Sequence, residues 1–407
     1  MRVAFISFEY PPALAIGGIG TYAGNAVKML ATGGVDVEVF SAGEKGAAVC
    51  EGSNFPIHRV GARDRAEFRQ RIVSVVCERH EVESFDLFES PEIGAEGAMV
   101  AAALPEIARV VKLHTPSYLL DRFGYEPPSF REHLRFSLGA LRRGRIGFLR
   151  RNSWSFAGDP ECAFAGAADE IVAPSLEIGA IVKRDWNLPE ERISHFPLPF
   201  HPAAELFSLP PAVEIKRVGF LGRLEPRKGI IELARAIPTV LEQRPGLRFR
   251  FLGPSWPYKQ GDMKSWMLRI LSGCRDSLEF AGPVTPAELP MHLAQCDAMV
   301  LPSRWENFPF ACIEALASAR AVVGSAAGGM AEMIEHGKTG LLVPPRSPKA
   351  ITEAILSLVR QPQLVRQLAE AGRKSIVQKL APERILPLQL ASYERAIRQS
   401  RRRQQSL

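Results

Sequence analysis

The stretch RVGFLGRLEPRKGIIELARAIPTVLEQ, residues 217–243, decides the fold. A short apolar strand ends at Gly222. A loop carrying Arg223 and Lys228 follows, and Gly229 leads into an amphipathic helix. The same strand–loop–helix unit recurs on both sides of it. Upstream, RVAFISF (2–8), DVEVFSAG (36–43), FDLFES (85–90), RVVKLHT (109–115) and DEIVAPS (169–175) read as strands. TYAGNAVKMLATG (21–33) and IGAEGAMVAAAL (93–104) read as helices between them. After residue 205 the pattern restarts, with LRFRFLGPS (247–255), DAMVLPS (297–303) and AVVGSAAGG (321–329) as further strands. Short apolar strands alternating with helices imply parallel sheets covered on both faces. The restart implies two of them. The proline-rich segment HFPLPFHPAAELFSLPPAV (195–213) is the expected linker.

The expected architecture is therefore α/β, with two doubly wound Rossmann-like domains facing a cleft. The domains are expected at 1–205 and 206–380, with 381–407 as a C-terminal helix packing back on the first domain. Its last residues, RQSRRRQQS, are expected to fray into solvent as a basic tail. Open parallel sheets bind ligands beyond the carboxyl ends of their strands, so functional residues should follow strands directly.

At 407 residues the chain exceeds one ordinary core, and 46% hydrophobic with 23% charged residues is a globular balance. No apolar run reaches the roughly 18 residues of a membrane span. The N-terminus reads as a first strand, without the h-region of a secretory signal. The six cysteines form no C-x-x-C pair, which supports neither a metal site nor a disulfide framework. The formal charge of +7 suits an anionic partner.

Several loops carry chemistry. Arg223 and Lys228, between a strand and a helix N-terminus, can grip a diphosphate. A solvated basic turn has the same pattern. In RWENFPFACIEALA (304–317), Asn307 is placed to cap a helix and Pro309 to fit its first turn. Glu306 then lies in the loop and Glu314 about two turns into the helix, either facing solvent or accepting from a ligand's hydroxyls. Gly17 and Gly18 open a loop whose backbone can approach a phosphate or sugar. Gly18, Gly20 and Ala23 also match a dinucleotide fingerprint, G-x-G-x-x-A, but some ten residues separate it from its strand. His114 ends a strand, where an imidazole can bind a hydroxyl or hold a core contact. The segment 131–156 mixes seven arginines with apolar residues, suiting an anionic lipid surface or an ordinary solvated helix pair. None of the usual nucleic-acid recognition modules is present.

Three motifs, GRLEPRKG (222–229), FAGPVTPAELPMHLAQCDAMVLPSRWENFPFACIEALA (280–317) and GGMAEMIEHGKTGLLVP (328–344), occur in that order. Together with the E-x7-E spacing of Glu306 and Glu314, they resemble the retaining GT-B glycosyltransferases of family 4. The resemblance implies hexosyl transfer from a UDP- or GDP-linked sugar to a hydroxyl of a saccharide or lipid-linked glycan, with retention and with neither metal nor cofactor. It implies that Arg223 and Lys228 hold the diphosphate, that Glu306 meets donor-sugar hydroxyls and that Glu314 meets the ribose. The backbone of Phe308, Pro309 and Phe310 would supply N–H groups, Gly17 and Gly18 would approach closely, and Val284 would lie near the base. His114 would face the donor sugar and acceptor from the opposite wall. The segment FPLPF (196–200) departs from the family's pattern before the linker, so no donor preference is carried over. A cytoplasmic enzyme is expected, at the inner face of the membrane if 131–156 engages lipid. The competing readings are a nicotinamide-dependent oxidoreductase and a non-catalytic nucleotide-sugar-binding protein.

Overall fold

A computed structural model describes all residues except 15–16, 45, 49–53, 125–129, 143–154, 202 and 406–407. The first sheet contains β1 (Arg2–Ile6), β2 (Asp36–Ala42), β3 (Gly46–Ala48), β4 (Ile57–Val60), β5 (Leu87–Pro91), β6 (Ala108–Lys112), β7 (Glu170–Ala173) and β8 (Ile193–His195). The second half contains β9 (Arg217–Leu221), β10 (Arg248–Leu252), a small hairpin of β11 (Pro257–Tyr258) and β12 (Gly261–Asp262), then β13 (Leu278–Gly282), β14 (Ala298–Leu301), β15 (Ala321–Ser325) and β16 (Leu341–Val343). The sheet orders are β3-β4-β2-β1-β5-β6-β7-β8 and β13-β10-β9-β14-β15-β16. All pairings in the two sheets are parallel except β3 with β4.

Both sheets wind outward in two directions from a central pair, β1/β5 in the first and β9/β14 in the second. Brändén-type clefts open at such reversals. The central strands are buried on both faces, which is why β1 reads RVAFI with all five residues inside. One apolar cluster runs from Tyr22 and Val27 in the first half to Phe310 and Ile313 in the second, so the two halves share part of their core.

The linker is not a free tether. Phe196, Leu198, Phe200 and Leu206 are buried, and a helix, Ala204–Ser208, straddles the 205/206 position. The C-terminal helix runs from Pro382 to Gln405 and lies against β5, β6 and β7. Its expected fraying is corrected: Arg403 pairs with Asp169 at 3.0 Å and Ser400 is buried. Gln389 and Tyr393 on this helix both bond to the buried Glu89, at 2.8 Å each, and Gln389 accepts from Lys112 at 3.0 Å. Of the basic 131–156 segment, residues 143–154 lie outside the described residues. The helix Phe130–Leu141 exposes Leu134, Phe136, Leu138 and Leu141. Among the described residues, no helix is long and apolar enough to cross a membrane.

Candidate active site

The site on the second domain begins where β9 ends at Leu221. Gly222 and Arg223 leave the sheet, and Pro226–Lys228 form a single 3₁₀ turn. Gly229 closes the turn with φ 72°, and a Cβ there would lie 1.9 Å from the Pro302 carbonyl oxygen. Only glycine permits both that backbone and that approach. The close contact drives Lys228 against the segment that follows β14, where Glu306 stands.

Lys228 Nζ donates to Glu306 Oε1. Ser303 Oγ donates to the same oxygen at 3.1 Å, and Arg227 Nη1 donates to Glu306 Oε2 at 3.2 Å. Arg227 also donates to Glu225 Oε1 at 2.9 Å, while Arg223 Nη2 is 3.4 Å from that oxygen. Burial alone would raise the Glu306 carboxyl, but the charges of Lys228 and Arg227 outweigh it and hold it at about 2. Burial lowers the Lys228 ammonium, with Glu306 working against the shift. Arg223, Lys228 and Glu306 thus belong to one charged network. Sequence reasoning missed three members of it: Arg227, Glu225 and Ser303. The R-K doublet at 227–228 was the available signal for Arg227, but only the 3₁₀ turn shows that both side chains point inward.

Three expectations about the segment after Glu306 need correction. The helix spans Phe310–Ala317 with Pro309 as its N-cap, so Asn307 does not cap it. Asn307 instead reaches the other domain, accepting from Ser175 Oγ at 2.9 Å and donating to the Leu113 carbonyl at 3.2 Å and to that of His114. Glu314 is the fifth helical residue, little more than one turn in. Pro309 has no N–H to offer; its carbonyl accepts from Cys312 N at 3.0 Å. Phe310 and Ala311 carry the first helical N–H groups, which have no intrahelical acceptor. Desolvation pushes the half-buried Glu314 carboxyl up to about 7, and no charge among the described residues offsets it. Val284 follows β13 and packs half-buried against the shared core.

The opposite wall comes from the first domain. Gly18 opens the helix Gly18–Thr32, with Gly17 as its N-cap, so the glycine pair is a helix start rather than a free loop. A Cβ on Gly18 would lie 3.6 Å from the Phe310 ring, which sets the two walls in contact. His114 follows β6, its backbone N–H donates to Glu92 Oε2 at 2.8 Å, and its ring meets Tyr22 edge-on at 5.1 Å. Burial, with Lys112 and Arg65 adding to it, pushes this imidazole down to about 3, so it stays neutral. The structure therefore brings His114 to the loop of Glu306 through Asn307. A nicotinamide site needs an acid at the end of the second strand, but β2 ends at Ala42, and its Glu38 lies inside the strand, buried and bonded to Arg79 at 2.9 Å and His58 at 2.7 Å. It is unavailable to a ribose.

Comparison with known proteins follows the same division. Residues 16–203 match the model described as Glycosyltransferase Family 4, and residues 215–361 match Glycosyl transferases group 1. The chain belongs to glycosyltransferase family 4. It is accordingly a glycosyltransferase that takes its sugar from a nucleotide sugar. This family 4 enzyme is 26% identical to a glycogen synthase from Mycobacterium tuberculosis, over 92% of this chain and 90% of the relative. It is 33% identical to a D-inositol 3-phosphate glycosyltransferase from Corynebacterium glutamicum, over 35% of each chain. Its fold is that of GT-B proteins: sucrose-phosphate synthase from Thermosynechococcus elongatus superposes with a TM-score of 0.71 at 22% identity, covering 97% of this chain and 98% of that one. HepE from Anabaena, solved with UDP and glucose, gives 0.66 at 16% identity, covering 96% and 100%.

Proposed function

We propose that this glycosyltransferase moves a hexosyl group from a UDP- or GDP-linked sugar to an acceptor hydroxyl, with retention of configuration and without a metal ion. The observation that carries the reading is the cationic cluster at the end of β9, where Arg223, Arg227 and Lys228 converge beside Glu306. A departing nucleoside diphosphate gains charge as the glycosidic bond breaks. Cations fixed in advance stabilise that charge without reorganising. Arg223, about one-third exposed, remains open to a phosphate, and the helix start at Phe310 adds N–H groups. Glu314, half-buried and, among the described residues, unmatched by a cation, suits the ribose hydroxyls, and the backbone at Gly17 and Gly18 lets the donor lie close under the first domain.

The placing of the acids supports retention. Glu306 is held ionised by two cations, and Glu314 lies on the same loop–helix unit, so the pair does not flank a bond from opposite faces. His114 is too weak a base to deprotonate an acceptor near neutrality. The leaving phosphate oxygen is then the proton acceptor, and attack comes from the face it departs, with His114 orienting a hydroxyl. Replacing Arg223 or Lys228 by Ala should lower turnover about a hundred- to a thousandfold, some 3–4 kcal/mol of barrier, with the fold retained. Chelator-treated enzyme should keep its rate, and NMR of the product should show the donor's anomeric configuration. Near-normal turnover in both purified variants would refute the diphosphate role. Hydrolysis or transfer by the wild type separates this reading from a non-catalytic sugar-nucleotide binder.

A membrane-borne glycan is the acceptor this reading favours. Leu134, Leu138 and Leu141 are exposed and, at i, i+4 and i+7, share one face of the helix Phe130–Leu141. Such a face, with the arginines of 131–156 nearby in sequence, suits the anionic inner leaflet. Co-sedimentation with phosphatidylglycerol vesicles, lost in a Leu134→Ser, Leu138→Ser double variant, tests it.

A further inference from the structure

Trp256 is 46% exposed, an unusual placement for the largest apolar side chain, and nothing in hexosyl transfer as described above calls for it. It lies on the strap that leaves β10 and leads to the β11–β12 hairpin. Its main chain is fixed at both ends. Trp256 N donates to the Leu224 carbonyl at 3.1 Å, and its own carbonyl accepts from Met263 N at 2.9 Å. Leu224 N in turn donates to the Pro254 carbonyl at 2.9 Å. The strap and the segment after β9 therefore run side by side, and this pairing sets the indole beside Arg223. The Arg223 guanidinium carbon is 4.9 Å from the ring centroid.

We propose that Trp256 is a positioning residue for the donor: its indole holds the Arg223 guanidinium in the orientation that receives the diphosphate. The proposal rests on the reading of Arg223 as a diphosphate-binding cation. An arginine side chain has many rotamers, and each one frozen on binding weakens the complex. A carboxylate could freeze it too, but would compete with the phosphate for the same charge. The quadrupole of an indole face attracts the cation while leaving its N–H groups free to donate. The available carboxylate, Glu225, is closer to Arg227 at 2.9 Å than to Arg223 at 3.4 Å. So the cation facing the cleft is steered chiefly by a neutral ring, and the one beneath it by acids.

The test is a double-mutant cycle read by calorimetric titration of UDP, GDP and ADP, using whichever nucleotide the wild type binds. Trp256→Ala should weaken binding about three- to tenfold, while Trp256→Phe, which keeps a smaller ring face, should lose less. In an Arg223→Ala background the Trp256→Ala change should have no further effect, because the two side chains act as one unit. Equal weakening in both backgrounds would mean that the indole touches the ligand or merely supports the fold, and would overturn the proposal. So would full-strength binding by the Trp256→Ala variant. A wild type that binds none of the three nucleotides overturns the donor assignment and this inference with it; binding without coupling overturns this inference alone.

Discussion

Two carboxylates eight residues apart have opposite electrostatic fates. Glu306 is buried against Lys228 and Arg227 and is held at about 2; Glu314, half-buried and with no cation beside it among the described residues, is pushed up to about 7 by desolvation. Two outcomes follow at this scale. Below about pH 7 the free Glu314 is protonated, whereas ribose hydroxyls donate best to the ionised form. Donor affinity should therefore rise between roughly pH 6 and 8, with proton release on binding in that window, and Glu314→Gln should flatten both. Calorimetry in buffers of different ionisation enthalpy reads the released proton directly. Removing Glu306 leaves the buried Arg227 and the half-buried Lys228 without their shared carboxylate. Glu306→Ala should cost about 3–5 kcal/mol of stability in urea unfolding, and Glu306→Gln, which still accepts from Lys228, should cost less. That Glu306 follows a strand and that Glu314 sits in the next helix was legible in the sequence; where that helix starts was not, and it moves Glu314 from about two turns in to little more than one. The protonation of the two acids was not legible either, because it depends on which charges the rest of the chain brings within reach.

Individual elements show what local pattern can encode. Every long apolar strand was legible, but β4 and β8 were not. IHRV and ISH are short, and His58, Arg59 and His195 break the apolar run. Arg59 is accommodated by donating to Ser41 Oγ at 3.1 Å and to the Pro11 carbonyl at 3.1 Å, partners that lie far along the chain. Glycine at 229 was legible as a helix entry, while its reason was not. The left-handed φ of 72° is local, but the 1.9 Å approach to Pro302 belongs to another strand's exit. Gly229→Ala should consequently cost more than about 2 kcal/mol, beyond the roughly 1–2 kcal/mol of left-handed strain alone, as measured by denaturant midpoint.

Across the whole molecule, one face of the cleft is fastened by contacts between the domains. Asn307 joins Ser175 and the Leu113–His114 backbone. Glu177 accepts from the Trp305 indole and from Gly328 N, at 2.7 Å each, and Glu332 accepts from Leu176 N at 3.0 Å. The Trp305 ring stacks on Phe123 at 4.8 Å. Asn307 sits one residue from Glu306, so loosening this contact should disturb catalysis as well as shape. Asn307→Ala should enlarge the radius of gyration in X-ray scattering, raise the donor KM, and regain compactness when nucleotide sugar is added. An unchanged scattering profile and KM would show that the apolar contacts alone hold the domains.

The sequence by itself determined the alternation of strand and helix, the division into two parallel sheets, the placing of Arg223, Lys228 and Glu306 after strand ends, and that of Glu314 in the helix that follows. Those features follow from hydrophobic period and turn chemistry, which act over a few neighbouring residues. The tertiary structure alone decided that Asn307 bridges the domains rather than capping a helix, that Arg227 joins the cationic cluster, and that Trp256 meets Arg223. Each of these is a choice among partners far apart in the chain. A polar side chain's alternatives differ by about 1 kcal/mol, so packing of the surrounding sheets, not local pattern, selects among them.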